Sequence, residues 1–422
     1  ILIKYRYNSN PKGEMAMRKF LKFIFCFLFI LIATVSFSND WEFSSRGENI
    51  VPIETSQVSI KKEEIRMKVV NDGMDVKVKF IFDSPVSEEK IIGFITPEGG
   101  FDDENYQWDG EMHFKNFITV VNEKTVKSNV EKMKDFYKKN LLSKEEMEKY
   151  NVEKYKDSYI YYFKANFKKG NNTVEHSYNY SGSYGVGYID FQYVWTTISK
   201  WKNKKVDDFE LIIDPGTSFV SLPYTFWKNE KKVNWEIIGE GKIDTAVQTI
   251  TDSNTKEKKV LKRAYARLKN GYIRYKTKDF APDNEFLMEE IKNIANHYPF
   301  EKTEKGYIFE DADFDYERLI CCYVTEPYSK EKHGTYENYK EELKLSKEQE
   351  EQLKKLSDKE LEILRNYPFA FSGYDFSRKD LKDYFSQFIW YYPIGKNVKE
   401  YIYPDVTKVV DKIMKERQKS NK

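Results

Sequence analysis

Short stretches of alternating apolar and polar residues, each ended by a turn signal, dominate residues 67–276. In residues 67–82, Val76, Val78 and Phe80 fall on one face of an extended chain, and Asn71-Asp72-Gly73 is a hairpin turn signal. Similar strand patterns recur in residues 159–167, 174–180, 209–213, 231–238 and 272–276. Because a period of two residues is typical of half-buried strands, the sequence predicts a mainly antiparallel β body.

One helical insertion interrupts this pattern. Residues 130–140 have helical spacing, and Ser143 with Glu146 fits a capping box at the start of a further helical turn. Many short strands with one inserted helix favour packed antiparallel sheets over an alternating strand–helix core. We therefore predict an α+β chain with a sandwich-like N-terminal body, an inserted helix and a small helical C-terminal module.

The C-terminal residues 361–393 combine helical spacing with many aromatic residues. Leu361 and Leu364 precede Phe385, Phe388 and Ile389 at helical intervals, so two short helices can share an apolar seam. The segment is also rich in aromatic residues, which form either the core of a small module or an exposed binding surface. The candidate binding residues are Tyr384, Trp390 and Tyr391.

Two further positions mark the ends of these short helices. Gly373 stands where a helix needs a left-handed exit, which glycine adopts without steric cost. Ser377, followed by Asp380, predicts the N-cap of the second helix.

This segment resembles the YARHG domain, a small module of bacterial exported proteins that is named after its central motif. The shared positions are Arg365, Asn366, Gly373, Phe376, Leu381, Tyr384, Phe385, Trp390, Tyr391 and Pro393. Phe371 and Ser372 replace the Arg and His of the named motif, whereas Ala370 is retained. The resemblance implies work in the cell envelope and implies no particular reaction.

Residues 17–38 have the order of a secretory signal peptide. An apolar run at residues 23–35 leads to small residues before a cut between Ser38 and Asn39, and the basic residues before the run are Arg18, Lys19 and Lys22. A membrane-spanning helix needs about 20 apolar residues, so this run is short for an uncleaved anchor, which is the alternative. We predict export to the periplasm or the extracellular face of the envelope, with no integral span after cleavage. Residues 1–16 are interpreted as translated upstream sequence.

Charge and cysteine content limit the classes of partner and the kind of covalent framework that the chain can have. Residues 1–38 hold six of the 70 basic and one of the 68 acidic residues, so 64 basic and 67 acidic residues remain and the net charge is −3. This balance gives no electrostatic basis for binding nucleic acid or anionic membrane. Only Cys321 and Cys322 remain, and neighbouring cysteines rarely pair, so no disulfide framework is expected.

Residues 39–287 resemble a bacterial exported family known as domain-of-unknown-function family 4424. The patches that carry the resemblance include residues 50–52, 174–178, 188–193, 208–211 and 278–282. The chain departs from this family at Trp195 and Ile198 and in an insertion at 251–263. This family has no established activity, so the resemblance implies none for this chain.

Residues 325–345 contain structure breakers, and the following segment becomes rich in Lys, Glu and Leu. Leu345, Leu353 and Leu356 share one helical face, which predicts a solvated connecting helix; a short coiled coil is the alternative. We predict a β-rich region at 39–324, a linker with a charged helix at 325–356 and the C-terminal module at 357–422. We expect the body to fold without the module, because the linker offers few apolar contacts.

Motifs for catalysis or cofactor binding are few. The four histidines, none of which has a second His or Cys three to five residues away, are His113, His176, His297 and His333. We therefore predict no metal site and no cofactor. The run from Ser181 to Gly185 has the wrong spacing for a hydrolase nucleophile turn.

Two functional hypotheses remain. The first is a non-catalytic envelope protein that binds peptidoglycan or another exported protein. The second is an envelope hydrolase whose site is assembled from scattered residues around His176, with Asp190 or Asp208 as its partner. A pocket in which His176 meets either aspartate would favour the hydrolase, whereas a buried His176 would be a structural group.

Overall fold

The computed structural model describes residues 46–48, 51–52, 57–96, 114–132, 135–136, 139, 159–185, 187–251, 258–292, 294, 301–303, 306–309, 347–398 and 404–420. The predicted signal peptide, the Ser143 capping box, the cysteine pair and residues 325–346 lie outside these ranges. So do His113, His297 and His333.

Extended strands make up most of the body. They are β1 (Arg46–Glu48), β2 (Val51–Pro52), β3 (Ser59–Val70), β4 (Gly73–Ser84), β5 (Glu88–Thr96), β6 (Lys115–Val121), β7 (Lys124–Val126), β8 (Asn129–Lys132), β9 (Tyr159–Phe167), β10 (Gly170–Ser181), β11 (Ser183–Gly185), β12 (Tyr188–Val194), β13 (Val206–Asp214), β14 (Phe219–Pro223), β15 (Glu236–Thr251), β16 (Lys258–Phe280), β17 (Phe286–Ile291), β18 (Glu301–Thr303) and β19 (Gly306–Phe309). Near the C-terminus follow the helices α1 (Lys347–Lys355), α2 (Asp358–Phe371), α3 (Lys379–Ser386) and α4 (Pro404–Ser420). The predicted α+β class, with a mainly antiparallel body and a helical C-terminal module, is confirmed.

Fifteen of the described strands form one large sheet, whose main path is β1-β12-β17-β14-β16-β13-β3-β4-β10-β6-β7. Most neighbours are antiparallel, while β1 with β12, β3 with β13, and β15 with β19 run parallel. A second sheet has the order β2-β5-β9-β8. Phe94 and Phe163 of this small sheet pack against His176 of the large one, whose ring also contacts Phe80, so the two sheets enclose a shared apolar core.

Most strands predicted from alternation are present. β3 and β4 pair around the turn at Asn71 and Asp72, and β9 has the predicted bounds. Alternating residues of β4, including Val76, Val78 and Phe80, are buried in the core. The strand predicted at 231–238 was too early, because β15 begins at Glu236.

The predicted helix at 130–140 is only partly correct. Its first residues belong to strand β8, which pairs with β9 and so continues the small sheet. Asp135, Phe136 and Lys139 are helical. The strand wins at 129–132 because sheet pairing with β9 satisfies its backbone groups, a long-range effect that local spacing does not reveal.

The longest hairpin, formed by β15 and β16, joins two groups of strands. Along its other edge, β16 pairs with β14 at residues 263–267 and with β13 at residues 273–280. Between these stretches, Gly271 lies opposite Gly239, and both have positive φ angles. A Cβ atom on Gly271 would lie 2.0 Å from the backbone oxygen of Ile238. The two glycines therefore permit a close backbone approach where β16 changes partners.

The helical module differs from the sequence prediction at its caps. Ser357 caps α2, since its Oγ accepts from the backbone N–H of Glu360, 3.3 Å away, while the Glu360 carboxylate accepts from the Ser357 N–H at 2.7 Å. The predicted cap at Ser377 was wrong by one residue: Arg378 occupies the N-cap position without a side-chain cap. Gly373 has φ +77°, which confirms the predicted left-handed exit.

Helix α4 was not predicted. Val410 and Ile413 of α4 are buried against the module, and Asp411 accepts from Arg365 Nε at 2.7 Å. Arg417 donates to the backbone oxygens of Lys354 and Leu356, both at 2.8 Å. α4 therefore ties α1 and α2 together. Its signal in the sequence is Pro404 at the first helical position, followed by apolar residues at helical spacing.

We predict that Gly271→Ala destabilises the body far more than Gly170→Ala. Both glycines have φ close to +90°, but no atom of the described residues lies within 4 Å of a Cβ on Gly170. The control thus isolates the cost of the backbone conformation, about 1–2 kcal/mol, whereas Gly271→Ala adds the clash with Ile238. Urea unfolding of both variants measures the difference; equal losses would show that the close approach at Gly271 does not constrain the hairpin.

Candidate functional site

The structure brings the three predicted binding residues into one aromatic cluster. The ring of Phe385 lies 5.1 Å from Tyr384, 6.2 Å from Trp390 and 5.9 Å from Tyr391 between centroids. Trp390 is fully buried and stacks on Phe388 at 5.1 Å. Tyr391 is also buried, and Tyr384 is half-buried. Trp390 and Tyr391 therefore pack inside the module, and of the three only Tyr384 retains substantial surface.

The module packs onto one face of the large sheet. Phe219, Tyr265 and Ile291 of the sheet belong to the same buried apolar cluster as Trp390. The sequence did not predict this contact, since the expectation that the body folds without the module considered only the few apolar residues of the linker. Removing residues 325–422 would uncover these sheet side chains.

Two cations of the hairpin reach the module across this contact. Arg267, which is buried, donates from Nη1 to the backbone oxygen of Trp390 at 3.1 Å. Lys242 donates to the backbone oxygens of Ser386 and Phe388 at 3.3 and 2.8 Å. Carbonyl groups at a helix C-terminus attract cations, so Lys242 stabilises the end of α3.

A row of polar residues crosses the module-facing side of the sheet. Strand register places Asp190, Glu289, Ser221, Tyr265 and Asp244 opposite one another in that order. These positions alternate with residues that face the main core, which explains why one strand can serve two packing layers.

Arg263 and Asp190 determine the electrostatics of this row. Arg263 lies 3.2 Å from the Glu289 carboxylate and donates from Nε to Ser221 Oγ at 2.7 Å. Burial, aided by the negative charge of Glu289, raises the pKa of Asp190 to about 7, although Arg263 opposes this. Asp190 Oδ1 is buried, and no residue within the described ranges forms a hydrogen bond with it. The row can thus hold a proton near neutral pH.

His176 lies in the main core, within a ring of aromatic side chains. Its ring centroid is 4.6 Å from that of Phe94 and 5.4 Å from that of Phe163, and Nδ1 lies 3.0 Å from Thr119 Oγ1. Burial lowers the pKa of His176 to about 3, so the imidazole is neutral at physiological pH.

The structure does not bring His176 together with the two aspartates. His176 faces the core, whereas Asp190 alternates with the core residues Ile189 and Phe191 and faces the module. Asp208 pairs with Lys278 Nζ at 3.1 Å. Within the described ranges, no three His, Cys, Asp or Glu residues are grouped so as to hold a metal ion.

An open cleft of about 280 Å³ lies at the turn of the β3–β4 hairpin. We call it the hairpin cleft and define it by Asp72, Asp75, Lys115, Asn179 and Tyr184, which line it. Strands β4, β6, β10 and β11 or their flanking turns supply these residues. Its polar groups and exposed tyrosine make it the candidate binding site.

Side-chain contacts hold the cleft residues in place. Tyr184 donates from its hydroxyl to Asp72 Oδ2 at 3.0 Å, and Lys292 Nζ lies 3.2 Å from Asp72 Oδ1. Asn179 donates to Asp75 and accepts from Asn116 Nδ2 at 2.8 Å. Burial and the neighbouring Asp72 raise the pKa of Tyr184 to about 12, so its hydroxyl stays protonated.

The sequence did not predict this cleft, although two of the segments that line it were considered for other reasons. Asp72 was interpreted only as part of a turn signal, and Tyr184 only as part of a failed nucleophile motif. The two meet because Ser181 pairs with Gly73, which places the end of β10 beside the hairpin turn. No local pattern encodes that register.

We predict that Trp390→Ala lowers the free energy of unfolding by about 3–5 kcal/mol, because it empties a buried site between the module and Arg267. Tyr392→Ala, which changes a neighbouring half-buried ring, should cost much less. Chemical denaturation of both variants gives the comparison. Normal unfolding of Trp390→Ala combined with lost retention on peptidoglycan would instead make Trp390 a ligand contact.

We also predict a pH-dependent effect of Asp190→Asn. An aspartate with a raised folded-state pKa contributes stability that is present below its unfolded pKa and is lost as pH rises through the folded value. The variant should therefore match the wild type near pH 4 and become the more stable protein as pH rises to about 7 and above. Melting temperatures across this range measure the crossover.

The matched control is Asp208→Asn, which removes a carboxylate that pairs with Lys278 and should give no such gain. A constant difference between Asp190→Asn and wild type at every pH would contradict the assignment to Asp190.

Within the part of the chain that the structure describes, no helix combines the length and apolar character needed to cross a membrane. No curated protein matches the chain. Among solved structures, a protein from Legionella pneumophila subsp. pneumophila str. Philadelphia 1, described as a candidate nutrient binding protein, is 16% identical with a TM-score of 0.48. The alignment covers 88% of this chain and 97% of that one.

Legionella pneumophila aminopeptidase A in complex with aspartic acid is 10% identical with a TM-score of 0.24, over 65% of this chain and 27% of that one. Neither similarity bears on function. A family model does match the C-terminal part, where residues 335–418 correspond to the YARHG domain. The match starts before the predicted module and includes α1, whose Leu353 is buried in the module cluster. The chain therefore carries a YARHG domain at its C-terminus.

Proposed function

We propose that the chain is an exported cell-envelope protein with a non-catalytic binding role, and that its partner is peptidoglycan or another exported protein. The YARHG domain occurs in exported proteins, which supports this setting. The predicted signal peptide at residues 17–38 supports it independently. The resemblance of residues 39–287 to family 4424, itself an exported family, points the same way.

The observation that carries the binding role is the hairpin cleft. It places a tyrosine that is 53% exposed beside carboxylate, amide and ammonium groups, and neighbouring side chains hold the lining in position. Fixed polar groups around an aromatic surface are typical of ligand recognition, because little order must be gained on binding.

The hydrolase alternative needs an acid–base pair around His176. His176 has Thr119 as its hydrogen-bond partner and a pKa of about 3, while Asp190 faces the other side of the sheet. A general base must reach the proton it removes and should have a pKa near the working pH. The geometry of His176 therefore favours a structural role and the binding proposal.

Within the YARHG domain, we propose that some aromatic residues stabilise the module and that another contacts the partner. Trp390 and Tyr391 hold the module together, and Tyr384 is the candidate that can reach a partner. Tyr384 is half-buried, and its hydroxyl lies 3.0 Å from that of Tyr367, which fixes the ring at the module surface.

Fractionation and retention assays test this proposal together. The protein recovered from the envelope fraction should begin at or near Asn39 and should be retained by purified peptidoglycan or by an immobilised envelope extract. As a control, the double substitution Phe27→Arg and Phe29→Arg breaks the apolar run and should keep the precursor in the cytoplasm. A protein that keeps residues 17–38, or that neither material retains, would contradict the proposal.

A further inference from the structure

We propose that the hairpin cleft binds an uncharged sugar unit, with the ring of Tyr184 as its stacking face. The proposal rests on the binding role proposed above and names its ligand class. It is carried by the charges, hydrogen-bonding groups and exposed ring that line this cleft.

Among the residues that the structure describes, the charges at the cleft balance. Asp72 and Asp75 contribute two negative charges, Lys115 lines the same space, and Lys292 contacts Asp72 at 3.2 Å. An anionic ligand would meet two carboxylates, and a metal ion would meet two lysines near its ligands. A neutral ligand avoids both penalties.

The lining offers mainly groups that bind hydroxyls. Carboxylate oxygens of Asp72 and Asp75 accept hydrogen bonds, while Asn179 and Lys115 contain donors. A sugar presents several hydroxyls, each able to donate and to accept, so it can use both kinds of group at once. An apolar ligand would exclude water from these polar groups without supplying hydrogen bonds in its place, which is costly.

Tyr184 supplies the apolar surface that a sugar also needs. The residue is 53% exposed, yet its hydroxyl is anchored at 3.0 Å on Asp72, so the ring is already held before a ligand arrives. The C–H face of a pyranose can pack on such a ring in the same way as other apolar groups. A fixed ring loses less conformational entropy on binding.

The size of the cleft limits what it can hold. Its volume of about 280 Å³ is near the lower end of the usual range for ligand pockets, about 300–1,000 Å³. Because the cleft is open to solvent, a longer glycan can extend beyond it. The geometry thus suits one or two sugar units of a polymer.

The test is a titration of the chain from Asn39 with chitotetraose and with maltotetraose. Binding is measured by isothermal titration calorimetry or by NMR chemical-shift changes. We expect one of the two to bind, Tyr184→Ala to weaken binding by at least about tenfold, and Tyr184→Phe to retain it within about threefold. Tyr224→Ala removes a half-buried ring outside the cleft and should leave affinity unchanged. Melting curves confirm that each variant is folded.

Binding of neither sugar, or sugar binding that Tyr184→Ala leaves intact, would overturn the proposal. Saturable binding of calcium or inorganic phosphate at Tyr184 in place of sugar would overturn it as well. If Tyr184→Ala leaves peptidoglycan retention unchanged, the envelope role stands and the cleft is excluded as the binding site. Sugar binding through Tyr184 without retention on any envelope material would support the sugar site and contradict the envelope role.

Discussion

The long strand β16 is the constraint on which the rest of the structure depends. Along one edge it pairs with β14 and then with β13, and so joins two groups of strands that would otherwise be separate sheets. The close approach of Gly271 to Gly239 lies where β16 changes partner. Along its other edge, β16 pairs with β15 from residue 258 to residue 274, a stretch that spans the change of partner.

The two faces of this hairpin region serve different layers. Ala264, Ala266 and Leu268 point into the main core, whereas Tyr265 and Arg267 contact the YARHG module. Because successive side chains of a strand point to opposite faces, this one strand contributes residues to two apolar clusters. The hairpin cleft lies at another part of the same sheet, where the turn of β3 and β4 meets the end of β10.

Local patterns predicted what depends on near neighbours. Alternation around Val76 and Phe80 predicted a strand, and Gly373 predicted a helix end, because those signals lie within a few residues. Docking of the module and formation of the hairpin cleft depend on strand register, such as Ser181 opposite Gly73, which no short segment specifies. His176 shows the same limit, since its pattern gave a strand but not the phenylalanines that surround it.

The sheet and the YARHG module share one packed apolar cluster, which includes Phe219, Tyr265 and Trp390. Differential scanning calorimetry of the chain from Asn39 tests most directly whether this cluster makes them unfold together. Because the module covers side chains of β14, β16 and β17, we expect one cooperative transition with equal calorimetric and van't Hoff enthalpies. Two separate transitions, with the sheet unaffected as the module melts, would contradict it.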